Sequence, residues 1–186
     1  MVKEYIKISN DKAYKLLNTG AMLLISTVSI EGKFDIAPIA WQCPVDYDRV
    51  TKLLFVCDKN HKTFRNITET EQFALSIPHI DQLKLLKDLG SCSGHDTDKI
   101  QKFNIHVAET DKINCCVPMN CIAYLECKLS KILDEGDVAI ILGNVIHVKV
   151  DKEAFNKRLL SETESGKTIH HLGGKIFIST SDFLLK

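Results

Sequence analysis

The chain has 186 residues, of which 45% are hydrophobic and 26% are charged. This composition is typical of a folded globular protein and excludes a disordered one, and the length predicts a single domain over residues 1–186. The 24 basic and 24 acidic side chains balance when histidine is neutral. Proteins that bind nucleic acid or an anionic membrane usually carry a basic excess, so neither partner is expected.

The sequence shows neither a membrane span nor a secretory signal. Its apolar runs at 21–25 and 138–142 fall short of the roughly 20 residues that cross a bilayer. Residues 1–7 mix charged with apolar side chains, unlike a signal peptide. We therefore expect a cytoplasmic protein in which the seven cysteines are reduced thiols.

The N-terminal part predicts a short helix followed by a hairpin. The helix begins after Ser9 or Asn10 and ends at Leu17. Residues 22–30 and 34–41 are β-rich and are separated by a turn at Glu31–Gly32–Lys33. Pro38 has no N–H to donate to a neighbouring strand, so it is expected at a sheet edge or a bulge.

The middle of the chain alternates strands and helices. Residues 52–57 and 72–77 predict buried strands, and residues 63–69 between them predict a short helix. Helical spacing over residues 80–103 is interrupted by a turn-rich segment at 90–94, which indicates two helices divided by a loop.

The C-terminal part predicts the longest hairpin of the chain, with arms at 121–133 and 138–150 joined by a turn at 134–137. A helix is predicted near 153–160 and a strand at 176–178. Many short strands with hairpin connections favour a mainly β protein with helices (α+β). The expected architecture is a closed or nearly closed antiparallel barrel, not a doubly wound parallel sheet.

Several familiar motifs are incomplete. Residues 164–168 end like a phosphate-binding loop, but Ser161 stands where its first glycine belongs. The glycine-rich dinucleotide fingerprint is absent. Cys92 and His95 supply one pair with zinc-ligand spacing, which is half a site, and residues 96–98 lack the later glycine and glutamate of a calcium loop. No metal site and no catalytic side chain are therefore assigned.

The first candidate segment for ligand binding is residues 36–41. Pro38 interrupts strand pairing there, which leaves backbone groups available to a flat heterocycle, and Trp41 is close enough in sequence to pack on such a ring. The alternative is an edge strand with a core tryptophan.

Two further segments place backbone N–H groups and basic side chains where a helix begins. Residues 58–66 offer the Thr63 hydroxyl and nearby lysines to an anionic phosphate, and the alternative is a capped surface helix. Residues 91–99 offer His95 and Lys99, and the alternative is an exposed loop in which Asp96 caps the next helix.

Together these segments resemble the flavin reductase-like family, the FMN-binding split barrels that include flavoredoxin. The matching pieces follow one another along most of the chain: Ser26–Thr27 with Gly32, residues 37–41, Thr63 with Asn66–Ile67, residues 93–99, Glu126–Cys127 and residues 143–145. The most specific piece is the serine-glycine-x-aspartate-x-aspartate-lysine run at 93–99.

The resemblance implies a split antiparallel β-barrel of the FMN-binding type that forms a homodimer, with one FMN per subunit near the dimer interface. It places the flavin along residues 38–41 and the phosphate near residues 59–63, and it brings a histidine and glycine segment at 170–174 close to the flavin. The cofactor-binding residues that it implies are Pro38, Ile39, Ala40, Trp41, Asp58, Lys59, Lys62, Thr63, Asn66, Ser93, His95, Lys99 and His171.

The function that the resemblance implies is that of an FMN-binding oxidoreductase, specifically a flavin reductase that takes electrons from NADH or NADPH. Three alternatives stay open. The first is a flavoredoxin-like electron carrier that takes electrons from a redox protein. The second is a flavin-binding protein without turnover, and the third is a hydrolase with a cysteine nucleophile.

Overall fold

The computed structural model describes residues 9–17, 20–47 and 49–180 of the chain. Residues 1–7, considered above for a secretory signal, lie outside this part. The strands are β1 (Leu23–Val28), β2 (Phe34–Ile39), β3 (Gln42–Asp46), β4 (Lys52–Asp58), β5 (Gln72–Ile77), β6 (Val107–Glu109), β7 (Cys116–Pro118), β8 (Ala123–Glu135), β9 (Val138–Val150), β10 (Phe155–Asn156), β11 (Arg158–Leu159), β12 (Ile169–Gly173) and β13 (Ile176–Ser179). The α-helices are α1 (Lys62–Thr70), α2 (Leu83–Leu89) and α3 (Lys99–Lys102), and short 3-10 helices span Asn10–Leu16, Ile80–Gln82 and Glu164–Gly166.

Seven strands form one antiparallel sheet in the order β2-β1-β5-β8-β9-β4-β3. The two outer strands, β2 and β3, follow each other in the chain and are joined by Ala40 and Trp41 alone. Because three residue steps span at most about 11 Å, the sheet must curl until its two edges lie close together. The edges do not pair with each other, so the sheet is a barrel with a split between β2 and β3.

The β1–β2 hairpin confirms the pairing expected from the sequence. Leu24 lies opposite Pro38, and Val28 lies opposite Phe34 next to the turn. Pro38 is on the outer strand β2, which confirms the prediction that a residue without an N–H lies at a sheet edge. The edge position leaves one side of β2 without a neighbouring strand.

The core occupies both faces of β1. Ile25 packs inside the barrel with Phe55, Phe73 and Ile141, whereas Leu24 packs on the outside against α2 and β12. Side chains alternate across a strand, so adjacent residues reach opposite faces, and a strand buried on both faces has an unbroken apolar run. This burial explains why residues 22–25 show no polar alternation.

The long hairpin of β8 and β9 is confirmed, with Glu135 paired to Val138 beside its turn. Gly143 in β9 lies directly against the ring of Phe73, where a Cβ atom would be 2.4 Å from Cζ. The ring of Phe73 also meets Phe55 edge to face, with centroids 5.4 Å apart. The barrel interior therefore needs a glycine at position 143.

The prediction of a helix near 153–160 is wrong. These residues form the two-residue strands β10 and β11, and the turn between them places Lys157 in the left-handed region with φ of 62°. The backbone N–H of Leu160 donates to the carbonyl of Ala154, whose side chain is fully buried. Tertiary packing of Ala154 has overridden the helical spacing of the apolar residues.

Other elements agree in type but not always in extent. The two helices predicted within 80–103 are present as α2 and α3, although α3 is a single turn. The strands β3, β6, β7 and β12 are not predicted by the sequence pattern. Among the described residues, no helix combines the length and apolar character that crossing a bilayer requires.

Candidate functional site

Two clefts meet at Pro38 on the open edge of β2. The first, of about 460 Å³, lies between β2, the start of α1 and the loop of residues 91–98, and we call it the loop-side cleft. The second, of about 540 Å³, lies between residues 38–41, the first 3-10 helix and the β12–β13 turn, and we call it the aromatic cleft. Pro38 lines both, so the two clefts are neighbours along β2.

The aromatic cleft brings together four predicted residues of the 38–41 segment and His171. Trp41 is 48% exposed and contacts Tyr14 edge to face, with ring centroids 6.1 Å apart. No sequence motif marks Tyr14, because Tyr14 reaches the cleft only through the fold. Trp41 therefore contributes a half-exposed aromatic ring to the wall of this cleft.

His171 forms the opposite wall of this cleft. Its Nε2 atom donates to the carbonyl oxygen of Gly174 at 3.1 Å, and its ring lies 5.0 Å from that of Phe177. Gly173 and Gly174 both have positive φ, which lets the chain turn tightly here. The histidine and glycine segment identified from the sequence therefore does border the Pro38–Trp41 strand.

The loop-side cleft contains the start of α1. Lys62 and Thr63 line it, and the N-cap residue His61 makes no side-chain hydrogen bond to the helix. The first N–H groups of an α-helix have no partner within the helix, and they carry the positive end of its dipole. An uncapped start of a nine-residue helix beside a cleft is therefore suited to an anion.

Lysine side chains near this cleft differ in their partners. Lys59 binds Asp134 at 2.5 Å and Lys99 lies 3.3 Å from Asp35, whereas Lys62 has no carboxylate partner in the described part of the chain. A lysine without an ion-pair partner is available to a ligand. Lys62 is thus the cation that the loop-side cleft offers.

Hydrogen bonds hold the loop of residues 91–98 across the cleft. The ring of His95 donates to the carbonyl oxygen of Asn60 at 3.0 Å, and the His95 N–H donates to the Ser93 hydroxyl at 3.1 Å. Ser93 lines the loop-side cleft, while His95 lies in a groove beyond the loop. Asp98 caps α3 by accepting from the Gln101 N–H at 3.0 Å, so Asp98 and not Asp96 is the cap.

Asp35 is a cleft residue that the sequence analysis missed. It lines the loop-side cleft, is 3% exposed and pairs with Lys99, whose ammonium also donates to the carbonyl oxygen of Ile36 at 2.8 Å. The only signal in the sequence is an aspartate between apolar residues of a strand. Its partner is distant along the chain, so spacing gives no clue to the pair.

Besides His95, three predicted residues lie outside both clefts and make hydrogen bonds to the surrounding framework. Asn66 is buried and its amide donates to the Thr27 hydroxyl at 2.9 Å, which joins α1 to β1. The Asp58 carboxylate accepts from the Asn60 N–H at 2.8 Å, and Lys59 binds Asp134 near the end of β8. These contacts shape the turn that presents Lys62.

Glu126 anchors a loop away from the clefts. Its fully buried carboxylate accepts the N–H groups of Asp111, Lys112 and Ile113 at 2.6 to 3.0 Å. Ligand-type atoms of Asp111, Glu126 and His147 lie within 4.8 Å of one another. Asp111 already binds Lys149 and Tyr124, so the cluster is a hydrogen-bonded brace for this loop.

The buried cysteines do not support the hydrolase alternative. Burial raises the pKa of Cys57, Cys115, Cys116 and Cys127 to about 12, and that of Cys121 to about 11. A nucleophilic cysteine needs a lowered pKa, because the thiolate is the reactive form. These five thiols are therefore core residues.

Comparisons with known proteins agree with this geometry. Residues 16–169 match the family model described as the flavin reductase like domain. The uncharacterized protein YddH of Escherichia coli (strain K12) is 27% identical over 185 residues, which is 96% of each chain. An FMN-binding domain of a flavin reductases-like enzyme from Shewanella baltica OS155 has a TM-score of 0.79 and 26% identity, over 96% of this chain and 95% of that one.

A second solved structure supports the fold alone. The flavoredoxin of Desulfovibrio vulgaris (Miyazaki F) has a TM-score of 0.83 at 19% identity, over 100% of this chain and 97% of that one. These likenesses, together with the open sheet, confirm a mainly β split barrel as the fold.

Proposed function

The chain belongs to the flavin reductase-like family, whose model matches residues 16–169, and on this premise we propose that it is an FMN-dependent flavin reductase that uses NADH or NADPH as electron donor. The observation that carries the proposal is the meeting at Pro38 of the aromatic cleft and the loop-side cleft, which contains Lys62 and the start of α1. FMN has a planar heterocycle at one end and a phosphate at the other, which matches these two environments.

The loop-side cleft fits the phosphate. Three groups line it: the Lys62 ammonium, which has no carboxylate partner among the described residues, Thr63 beside it, and the start of α1, where His61 makes no side-chain cap. A phosphate accepts charge-assisted hydrogen bonds from such groups and is stabilised by the helix dipole. Ser93 adds a hydroxyl from the 91–98 loop.

The aromatic cleft fits the isoalloxazine ring. Residues 38–41, at the end of β2 and in the connection after it, would border the flat ring, and Trp41 and Tyr14 would supply aromatic contacts. The backbone N–H groups of Ala40 and Trp41 would be the donors nearest to such a ring and would favour negative charge on it. When bound, FMN supplies the chemistry itself, because it accepts hydride from the donor and passes electrons onward.

A flavin titration tests the binding proposal directly. Trp41 is the single tryptophan of the chain and lines the aromatic cleft, so its fluorescence reports on that cleft alone. We expect saturable quenching on addition of FMN, together with a perturbed flavin absorption spectrum. Unchanged fluorescence with no flavin retained after gel filtration would refute FMN binding.

A flavoredoxin-like electron carrier is the second candidate. The likeness to the Desulfovibrio vulgaris flavoredoxin and the absence of a dinucleotide fingerprint favour it. Steady oxidation of NADH or NADPH in the presence of excess FMN supports the reductase. A protein that holds FMN but oxidises neither nucleotide supports the carrier, whose electrons come from a redox protein.

We also propose a cytoplasmic homodimer. The support for a dimer is a row of exposed apolar side chains on one face of β9, formed by Ile146, Val148 and Val150. Exposed apolar patches of this kind mark association surfaces. Light scattering after gel filtration should give twice the chain mass of 20.9 kDa, and a monomer would contradict this part of the proposal.

A further inference from the structure

A buried ion pair forms one wall of the loop-side cleft. The side chains of Asp35 and Lys99 are 3% and 4% exposed, and the Lys99 ammonium lies 3.3 Å from Oδ1 of Asp35. The same ammonium donates to the Ile36 carbonyl oxygen at 2.8 Å. A buried charge is stable only when it is paired and hydrogen-bonded, and Lys99 meets both conditions within the protein.

This pair joins the edge strand to the 91–98 loop. Asp35 and Ile36 belong to β2, whereas Lys99 begins α3 directly after the loop. Inside the loop, Gly94 lies so close to Asp35 that a Cβ atom would be 2.2 Å from Oδ1. The carboxylate of Asp35 is thus covered by the loop backbone and bonded to the residue that ends the loop.

We infer that Asp35 and Lys99 are positioning residues that hold the 91–98 loop as the wall of the phosphate site, and that Lys99 acts through Asp35 without touching the phosphate. The inference rests on the proposed FMN site. The ammonium is nearly fully buried and already contacts Asp35 and the Ile36 carbonyl oxygen, and moving it away toward a phosphate would leave the Asp35 carboxylate as an uncompensated buried charge, which is strongly unfavourable. Lys62 carries no such constraint, because it has no carboxylate partner among the described residues.

The substitution Asp35→Asn distinguishes a positioning role of Lys99 from direct contact with the phosphate, because the two roles predict opposite changes in FMN affinity. If Lys99 touched the phosphate, removing the nearby negative charge would free the ammonium and strengthen FMN binding. If the pair positions the loop, the same substitution weakens FMN binding by about tenfold, on the scale of other coupled contacts. Tighter or unchanged FMN binding by Asp35→Asn would overturn the inference.

A double substitution controls for the possibility that a single variant fails to fold. Asp35→Asn with Lys99→Met leaves no unpaired buried charge, so it is better tolerated than Lys99→Met alone. We expect the double variant to bind FMN as weakly as Asp35→Asn does, because both remove one shared contact. If the double variant instead loses as much FMN binding free energy as Asp35→Asn and Lys99→Met lose together, Lys99 makes a separate contact with the ligand and the inference is wrong.

Hydrogen exchange without flavin tests the loop independently of the proposed function. We expect backbone amides of residues 91–98 to exchange faster in Asp35→Asn and in the double variant than in the unmodified protein. Lys102→Met is the matched control, since Lys102 is exposed on the same turn of helix. Equal exchange in all variants would refute positioning, whereas faster exchange with no FMN binding by the unmodified protein would refute the FMN site alone.

Discussion

The ring of His95 and the backbone carbonyl of Asn60 are joined by a hydrogen bond of 3.0 Å. This bond ties the middle of the 91–98 loop to the turn that precedes α1, so two walls of the loop-side cleft are fixed relative to each other. His95 itself lies outside that cleft. The width of the cleft therefore depends on a side chain that does not line it.

The substitution His95→Ala is expected to weaken FMN binding severalfold while the free energy of unfolding changes little, because an exposed hydrogen bond is worth only about 1 kcal/mol. Isothermal titration with FMN and chemical unfolding measure the two effects. His106→Ala, at an exposed site outside the clefts, is the control. Equal FMN affinity in His95→Ala and the control would show that the hydrogen bond between His95 and Asn60 does not affect the cleft.

The substitutions Lys62→Met and Thr63→Val remove the charge and the hydroxyl but keep side-chain bulk. We expect the double variant to bind FMN at least about tenfold more weakly, since charge-assisted hydrogen bonds contribute roughly 1.5–3 kcal/mol each. Riboflavin, which lacks the phosphate, should bind the double variant and the unmodified protein with equal affinity. Lys84→Met, on the exposed face of α2, is the control, and a parallel loss of riboflavin affinity would count against a phosphate site at Lys62.

The substitution Gly94→Ala places a methyl group 2.2 Å from the Asp35 carboxylate. We expect a loss of about 1–3 kcal/mol in the free energy of unfolding, which is typical of overpacking, and weaker FMN binding. Gly90→Ala is the comparison, because its nearest contact is Pro38 Cγ at 3.3 Å and a small shift relieves it. Thermal unfolding of both variants measures the difference, and equal stabilities would contradict the close approach.

Thiol labelling should divide the cysteines by burial. At pH 8 a thiol with a pKa of about 12, such as Cys115, is ~10⁻⁴ ionised. We therefore expect alkylating reagents to modify the exposed Cys43 and the half-buried Cys92 first. Mass spectrometry of the native protein measures this order, and rapid labelling of Cys115 or Cys116 would contradict the buried assignment.

The stability contributed by Asp111 should depend on pH. Hydrogen bonds from Lys149 and Tyr124 hold the pKa of Asp111 below its ordinary value of 3.8. A pKa lowered on folding adds stability that is present above the unfolded value and is lost as the pH falls through the folded value. Asp111→Asn should therefore lower Tm at pH 7, and the difference should narrow below pH 3.8. Lys149→Met should show the same pH dependence. A difference in Tm from the unmodified protein that stays constant with pH would refute the prediction.

Local features of the fold could be predicted because their causes are local. The turn at Gly32, the position of Pro38 at an edge and the start of a helix near Thr63 all follow from backbone chemistry within a few residues. The segment at 153–160 shows the limit of this reasoning. Its apolar spacing favours a helix, but burial of Ala154 imposes a turn at Lys157.

The cleft could be predicted in part for the same reason. Residues 38–41, Lys62 and Thr63 lie in short segments whose composition indicates a ligand. Asp35 and Tyr14 could not be found in this way, because Asp35 meets Lys99 and Tyr14 meets Trp41 only after distant segments pack together. Asn66 and Lys59 stay predicted cofactor residues, and in the structure their side chains bond to Thr27 and Asp134 outside both clefts.

The outer strand β2 bears on solubility as well as on the cleft. An open sheet edge can pair with a strand of another molecule and so begin aggregation. Pro38 offers no N–H on this edge, and Lys99 already occupies the carbonyl oxygen of Ile36. Pro38 and Lys99 therefore also make β2 a poor template for a strand of another molecule. Substitution of either residue should make the protein more prone to self-association.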